Sequence, residues 1–229
     1  ANSGETARAV ALFNTLLGCW NQPGGALLTS SAAAGKLDDP RFAAPPKPEG
    51  TLLGTKEYPL AAASMGSAVF AGEMAKAGVL KGMFFYNSNM AAGYSNPAYL
   101  ADALSQLELM VVCDVQMSET ALLADYVLPD TSYLERLELP EFIGGKKHYV
   151  ALRTPVIERI HPETRPCDEI FAGLAEACGV GEYFDFTVEE LAEAQLASVG
   201  TSIEEVREAG IVELADPGFA FGTPTFKTP

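Results

Sequence analysis

A strand–helix–strand pattern in the middle of the chain constrains the fold more than any other feature of the sequence. The apolar run at residues 83–86 predicts a short strand, which a polar loop follows. Asn96 and Pro97 then give a helix N-cap and a proline at the first helical position, and apolar residues recur at helical spacing to Leu107. The continuous apolar run at residues 109–113 predicts a second strand, buried on both faces. Strands joined in this way are parallel, so the sequence predicts an α/β fold with helices flanking a parallel sheet.

Polar residues follow each predicted strand at its carboxyl end. A third apolar run, at residues 126–128, ends at Pro129. In an open parallel sheet, ligands bind outside the carboxyl ends of the strands. The candidate binding residues there are Asn87, Ser88 and Asn89 after the first strand, Cys113 and Asp114 at the end of the second, and residues 129–132 after the third. Asp114 can accept hydrogen bonds from a ribose or a base, and it can equally cap a helix; the pattern leaves both roles open.

The charge of the chain excludes several classes of partner. Fifteen basic residues stand against thirty acidic ones among 229, a formal charge of −15. This balance argues against binding to nucleic acid or to an anionic membrane surface. No run of about 18 apolar residues exists, so no membrane span is predicted. Residues 163–216 carry fourteen acids and two bases, a net charge of −12, which indicates either a solvated helical surface or a docking face for a basic partner.

Local motifs for metal binding and catalysis are missing. The four cysteines are not spaced as C-x-x-C and only two histidines are present, so neither a zinc site nor a locally held iron–sulfur cluster is predicted. We expect free thiols, two or three of them buried, although the sequence alone does not exclude disulfides. Neither of the glycine-rich phosphate-binding motifs, G-x-G-x-x-G and G-x-x-x-x-G-K-[ST], occurs in the sequence. Residues 144–147 (GGKK) predict a hairpin turn. We assign no catalytic and no metal-ligating residue.

Both ends of the chain are predicted to be mainly helical. A helix over residues 2–17 is apolar on almost all sides, and we expect it to be buried. A long irregular excursion rich in Ala, Pro and Gly follows over residues 30–59. Further helices are predicted at residues 167–178, 188–197 and 203–209.

One segment is far more specific than these patterns. Residues 118–135 read SETALLADYVLPDTSYLE, and all eighteen positions resemble the signature of the prokaryotic molybdopterin oxidoreductases, the dimethyl sulfoxide reductase family. Flanking segments at residues 17–25, 87–90, 111–114 and 165–168 resemble further parts of that family. The resemblance covers residues 9–180, and extends more loosely to residue 211.

The resemblance implies an α/β domain from a catalytic subunit that holds molybdenum or tungsten with two molybdopterin guanine dinucleotides (bis-MGD). Positions matching the dinucleotide contacts of the family are Asn87, Ser88, Asn89, Cys113, Asp114, Arg136 and Asp168. Asp114 can accept from a guanine or ribose edge, and Arg136 can contact a phosphate or a ribose. The implied organisation is a helix with an irregular excursion (residues 1–60), the dinucleotide-binding α/β domain (61–180) and an acidic helical extension with a tail (181–229).

We expect the chain to be an internal segment of a larger multidomain enzyme, because it matches neither the amino-terminal cysteine cluster of the family, nor its metal ligand, nor its carboxy-terminal domain. The resemblance implies an iron–sulfur cluster in the missing amino-terminal part. The implied partners are the other domains of the same subunit, an iron–sulfur electron-transfer subunit and a membrane anchor subunit. The segment by itself is expected to be inactive, and the whole enzyme can be exported or cytoplasmic.

Two functional hypotheses of different classes follow. The first is a part of a molybdenum oxidoreductase that exchanges electrons with a small inorganic or a sulfur- or arsenic-type substrate. Among such substrates the resemblance weakly favours polysulfide, thiosulfate, tetrathionate or arsenate. The second is a non-catalytic relative without cofactor, such as the related structural domain in a subunit of respiratory complex I. The intact signature and Asp114 favour the first hypothesis. A free nucleotide-binding module would need a phosphate cradle that the sequence lacks.

Overall fold

A computed structural model describes residues 3–43, 74–93 and 96–222. The helices are α1 (Ser3–Leu16), α2 (Met90–Gly93), α3 (Pro97–Leu104), α4 (Cys167–Ala177), α5 (Val188–Ala197) and α6 (Ile203–Ala209). The strands are β1 (Gly82–Tyr86), β2 (Leu109–Asp114), β3 (Tyr126–Pro129), β4 (Glu141–Ile143), β5 (Tyr149–Ala151) and β6 (Ile211–Glu213). Single 3₁₀ turns lie at Pro40–Phe42, Ala121–Leu123 and Gly181–Phe184.

The described residues form two compact units, each built from separate stretches of the chain. One unit draws on residues 39–137 and 154–188, and the other on residues 1–38, 138–153 and 189–229. The division at residues 60 and 180 that the sequence suggests stays a prediction. Of the irregular excursion predicted for residues 30–59, the part from residue 44 onward lies outside the described residues.

The first unit contains a parallel three-stranded sheet in the order β1-β2-β3. Tyr86 at the end of β1 pairs with Cys113, and Asp114 at the end of β2 pairs with Pro129 at the end of β3. The three carboxyl ends therefore meet at one edge, as the sequence predicts, and the α/β fold is confirmed. We call this edge, formed by residues 86–88, 113–115 and 129–131, the carboxyl edge.

The helix between β1 and β2 begins where its capping residues predict. Asn96 Oδ1 accepts a hydrogen bond from the Tyr99 N–H, and Pro97 occupies the first turn. Leu100 and Leu104 lie one turn apart on α3 and belong to the same core cluster as the β-strand residues Phe85, Met110 and Val112 and the turn residue Ala121. Burial of a Leu or Phe side chain contributes roughly 1.5–3 kcal/mol, so this cluster is the main stabilising contact between the sheet and α3.

The helix α4 packs against β1 through aromatic side chains. The Phe171 ring lies 5.2 Å from Phe84 and 5.8 Å from Tyr86, measured between ring centroids. Such tilted and edge-on pairs contribute roughly 0.5–1.5 kcal/mol beyond the buried area. The contact with Tyr86 brings the amino-terminal half of α4 to the carboxyl edge of the sheet.

The second unit contains an antiparallel sheet in the order β4-β5-β6. The predicted turn at residues 144–147 is confirmed, because β4 and β5 pair as a hairpin around it. The strand β6 was not predicted, and it adds to the hairpin by pairing Val212 with Val150. Val150 also lies in the buried cluster of this unit, together with Ala192, Leu196, Ile203 and Val206.

Two expectations about burial were wrong. The helix α1 exposes its apolar side chains, with Phe13 at 62% and Leu16 at 86%. Helical periodicity shows that a face is apolar, but it does not supply the element that covers it. All four cysteines are free thiols, and Cys113 alone among them is buried. No helix in the described part of the chain combines the length and apolar character that a membrane crossing needs.

Candidate functional site

The loop after β1 is attached to the start of the signature segment by one amide side chain. Asn89 Oδ1 accepts hydrogen bonds from the Thr120 N–H at 3.2 Å and from the Thr120 hydroxyl at 2.9 Å. Asn89 Nδ2 donates to Glu119 at 2.6 Å, a contact that lowers the pKa of that carboxyl. The Asn89 amide is therefore committed to the fold, and its predicted contact with a dinucleotide remains untested.

Asp114 at the end of β2 forms hydrogen bonds within the loop that follows it, and its contact with a ribose or a base stays a prediction. Its Oδ1 accepts from the Val115 N–H at 2.7 Å, and its Oδ2 accepts from the Ser118 hydroxyl at 3.0 Å. Ser118 Oγ in turn accepts from the Ala121 N–H at 3.3 Å, so Asp114 is connected through Ser118 to the first N–H of the 3₁₀ turn. A carboxylate offers about four acceptor sites, and two of them are used here. Asp114 retains the capacity to accept from a ligand.

Arg136 is held within the fold by a buried ion pair. Its Nη1 lies 2.6 Å from Asp130 Oδ2 and donates to the Thr131 carbonyl oxygen at 2.8 Å. The side chains of Arg136 and Asp130 are 8% and 0% exposed. The sequence predicts that Arg136 contacts phosphate or ribose, whereas in the structure its guanidinium already neutralises a carboxylate. Sequence reasoning missed this partner.

Two polar atoms next to the ion pair have no hydrogen-bond partner among the described residues. They are Asp130 Oδ1 and Thr131 Oγ1, and both are buried. The backbone at this point is well paired, since the Asp130 N–H donates to the Asp114 carbonyl and the Thr131 N–H to the Arg165 carbonyl. A buried polar atom without a partner costs roughly 1–3 kcal/mol. Because parallel sheets bind ligands at this edge, a polar group of a bound molecule is a suitable partner for the two unpartnered oxygens.

Cys113 and Tyr86 remain neutral at the carboxyl edge. Burial, followed by the nearby Asp130 carboxylate, raises the pKa of Cys113 to about 12. Burial, followed by a hydrogen bond with Cys167, raises the pKa of Tyr86 as well. Neither group therefore supplies a thiolate or phenolate near neutral pH. The buried Cys113 contributes its carbonyl oxygen to the edge, which accepts from the Asn87 N–H at 3.0 Å.

The remaining candidates differ in how closely the structure joins them to this edge. Asn87 is exposed and takes the left-handed conformation with φ at 45°, and its Nδ2 lies 3.5 Å from Asp130 Oδ2. Ser88 follows it and is half-buried. Asp168 lies in the first turn of α4 and is half-buried too. Its neighbour Cys167 contacts Tyr86, but no hydrogen bond or ion pair joins Asp168 to the other candidates in the described part of the chain.

Two further carboxylates of the signature have structural roles that sequence reasoning missed. Asp125 Oδ2 accepts from the Met110 N–H at 2.7 Å, which fixes the start of β3 beside β2. Glu135 accepts from the N–H groups of Ser132 at 2.8 Å and Ile160 at 2.7 Å, and these bonds lower its pKa. The available signal was an isolated acid next to an apolar run or turn, which indicates a backbone N–H to be capped.

A separate cleft of about 380 Å³ lies between β3 and α4. Its lining is mostly apolar, with charged side chains among it: Leu128, Pro129, Glu163, Arg165, Glu169, Ile170, Gly173 and Leu174. Two acids and one base give it a net negative charge, which does not suit a diphosphate. No group of three or more His, Cys, Asp or Glu side chains in the described ranges is arranged to hold a metal ion.

Comparison with known proteins places this geometry in context. A family model described as molybdopterin oxidoreductase matches residues 2–141. The thiosulfate reductase molybdopterin-containing subunit of Salmonella typhimurium is 38% identical over 121 residues, which are 52% of this chain and 16% of that protein. The assimilatory nitrate reductase catalytic subunit of Bacillus subtilis is 33% identical over 153 residues, covering 63% of this chain and 19% of that protein.

A solved structure agrees with these sequence matches. Acetylene hydratase from Pelobacter acetylenicus superimposes with a TM-score of 0.58 at 26% identity, covering 69% of this chain and 22% of that one. The chain thus spans between 16% and 22% of the length of these relatives.

Proposed function

Because the chain belongs to the molybdopterin oxidoreductase family, we propose that its carboxyl edge binds the guanine dinucleotide end of a molybdopterin cofactor. The observation that carries this proposal is the gathering of hydrogen-bonding groups at one edge of the parallel sheet. Asp114 keeps acceptor capacity there, and Asp130 Oδ1 and Thr131 Oγ1 are buried without a partner in the described part of the chain. A nucleotide carries N–H and O–H donors that match these acceptors.

The residues of the chain divide into groups that contact the ligand and groups that position them. Asp114 accepts from a guanine N–H or a ribose O–H, while the exposed Asn87 and its neighbour Ser88 contact the same ligand from the loop. Asp168 contributes from the start of α4. Arg136 acts through Asp130, because its guanidinium is already paired there. Asn89 and Cys113 shape the edge through the Asn89 amide and the Cys113 carbonyl.

The proposal extends to the enzyme of which this chain would be a part. The cofactor, when bound with molybdenum or tungsten as two guanine dinucleotides, supplies the redox chemistry, and this chain holds one distal end of it. We propose a small inorganic oxyanion of sulfur or nitrogen as substrate, on the model of the relatives named for thiosulfate and nitrate. An iron–sulfur cluster elsewhere in the subunit, an iron–sulfur partner subunit and a membrane anchor would carry the electrons.

The test replaces Asp114 by Asn in the complete enzyme and measures the guanine nucleotide released on denaturation, per protein chain. A lost hydrogen bond to a charged group is worth roughly 1.5–3 kcal/mol, so we expect the cofactor to be retained about tenfold to a hundredfold less tightly. Asp125→Asn is the matched control, since Asp125 caps a backbone N–H at the opposite end of β3. That variant should melt at a lower temperature and keep its nucleotide.

Two results would count against the proposal. Full nucleotide content in Asp114→Asn, with a lowered melting temperature, would leave Asp114 as a cap only. A complete enzyme that is purified without pterin, guanine nucleotide and metal would support the non-catalytic alternative.

A further inference from the structure

Two fully buried threonines of the same unit differ in what their hydroxyl groups contact. Thr120 is 0% exposed, and its Oγ1 donates to Asn89 Oδ1 at 2.9 Å and accepts from the Ala91 N–H at 2.9 Å. Thr131 is 1% exposed, and its Oγ1 has no partner among the described residues. Asp130, the preceding residue, likewise has an unpartnered oxygen, Oδ1. The Thr120 hydroxyl thus makes two hydrogen bonds, whereas Asp130 and Thr131 each have one buried oxygen without a hydrogen-bond partner at the carboxyl edge, among the described residues.

The chemistry of the two atoms specifies what can satisfy both. Asp130 Oδ2 is paired with the Arg136 guanidinium, and the unpartnered carboxylate oxygen Oδ1 offers hydrogen-bond acceptor sites. The Thr131 hydroxyl can donate and accept. An alcohol hydroxyl donates to the carboxylate and accepts from the threonine at the same time, which an aliphatic or a purely anionic group cannot do.

We propose that Asp130 and Thr131 form a subsite for a ribose hydroxyl of the dinucleotide. This inference rests on the proposed function and adds to it the part of the ligand that these two residues recognise. Arg136 is a positioning residue in this arrangement, since it fixes the other carboxylate oxygen, Oδ2, at 2.6 Å. The subsite lies at the end of β3, whereas Asp114 lies at the end of β2.

Access to the subsite requires movement, because Asp130 Oδ1 and Thr131 Oγ1 are both buried. The exposed Asn87 contacts Asp130 through an Nδ2–Oδ2 distance of 3.5 Å, at the long limit of a hydrogen bond. Rotation of an exposed side chain takes picoseconds to nanoseconds. The Asn87 amide can therefore turn aside from Asp130 without a change in the sheet.

The test is Thr131→Val, which removes the hydroxyl and leaves the shape and charge of the side chain, with Thr120→Val as the matched control. In the isolated 229-residue chain, we expect Thr131→Val to melt at the same or a higher temperature, because it removes a buried polar atom that has no partner. Thr120→Val should melt at a lower temperature. In the complete enzyme, Thr131→Val should lose its guanine nucleotide about two- to tenfold more readily, as expected for one neutral hydrogen bond. Thr131→Ser should restore retention.

The outcomes separate this subsite from the proposed function. Loss of nucleotide in Asp114→Asn with normal retention in Thr131→Val would overturn the subsite alone. Normal retention in both variants would overturn both proposals. A melting temperature of the isolated Thr131→Val chain lowered as much as that of Thr120→Val would show that the hydroxyl is bonded within the fold, through water or protein, and would also overturn the subsite.

Discussion

The buried ion pair between Asp130 and Arg136 permits the sharpest test of how the carboxyl edge is held. Two unit charges 2.6 Å apart attract each other by about 6 kcal/mol at an effective dielectric constant near 20. Desolvation of both groups opposes this attraction, so the net value of such a pair is small. Removing one partner leaves a buried, uncompensated charge and costs about 3–5 kcal/mol.

We therefore expect Arg136→Gln to lower the free energy of unfolding of its unit by about 3–5 kcal/mol. The double variant Asp130→Asn with Arg136→Gln should lose less than Arg136→Gln alone, because no buried charge remains. Lys81→Gln is the control, since Lys81 and Glu108 lie 2.8 Å apart but are 69% and 66% exposed. An exposed pair contributes about 0.2–1 kcal/mol. We therefore expect Lys81→Gln to lose much less unfolding free energy than Arg136→Gln, because only the second change leaves a buried charge.

Native-state hydrogen exchange of the β1, β2 and β3 amides is the appropriate assay. The single tryptophan, Trp20, belongs to the other unit, so its fluorescence does not report on this sheet. A loss of less than about 1 kcal/mol in Arg136→Gln, or a double variant that loses as much as the two single variants added together, would refute the coupling of the two buried charges.

Three further changes test other parts of the structure. Glu135→Gln should destabilise the chain at neutral pH and make its stability depend less on pH in the acid range. The folded-state pKa of Glu135 lies below the ordinary value of 4.5, so the ionised carboxylate stabilises the fold above pH 4.5, and this contribution is lost as the pH falls through the lowered pKa. An acid titration followed by circular dichroism measures the difference. Iodoacetamide at pH 8 should modify the exposed Cys178 in the folded chain and Cys113 only after unfolding, as peptide mass mapping would show; early labelling of Cys113 would contradict its burial and raised pKa. Gly144→Ala should cost about 1–3 kcal/mol in urea unfolding, because the added Cβ would lie 2.5 Å from the Ser30 carbonyl oxygen, and an unchanged midpoint would refute that clash.

The parallel sheet was predictable because its signals are local. The apolar runs at residues 83–86, 109–113 and 126–128 are short, bounded and separated by helix or turn residues. The cap at Asn96 also involves neighbouring residues only. The strand β6 was not predictable in the same way, because three residues carry no periodicity and their partner, β5, lies about sixty positions earlier.

The site was predictable in its place but not in its contacts. Strand ends locate the carboxyl edge without any knowledge of side-chain geometry. The partner of Arg136 depends on where a long side chain folds back, and the sequence does not show that Asp130 receives it. Likewise, no pattern distinguishes Thr120, whose hydroxyl is satisfied, from Thr131. Hydrogen-bond satisfaction is a property of tertiary structure, and composition does not report it.

The order of pairing in the antiparallel sheet has a consequence for synthesis on the ribosome. Ile143 pairs with Tyr149 only six positions away, whereas Tyr149 pairs with Glu213, 64 positions away. Since each doubling of loop length costs about 0.6 kcal/mol of closure entropy, the hairpin can form early and β6 must join last. At about 5–20 residues per second, the hairpin is complete at residue 151 roughly 3–12 s before residue 213 is added. During that interval β5 presents an unpaired edge, and a nascent chain that stalls there offers a template for pairing with another copy.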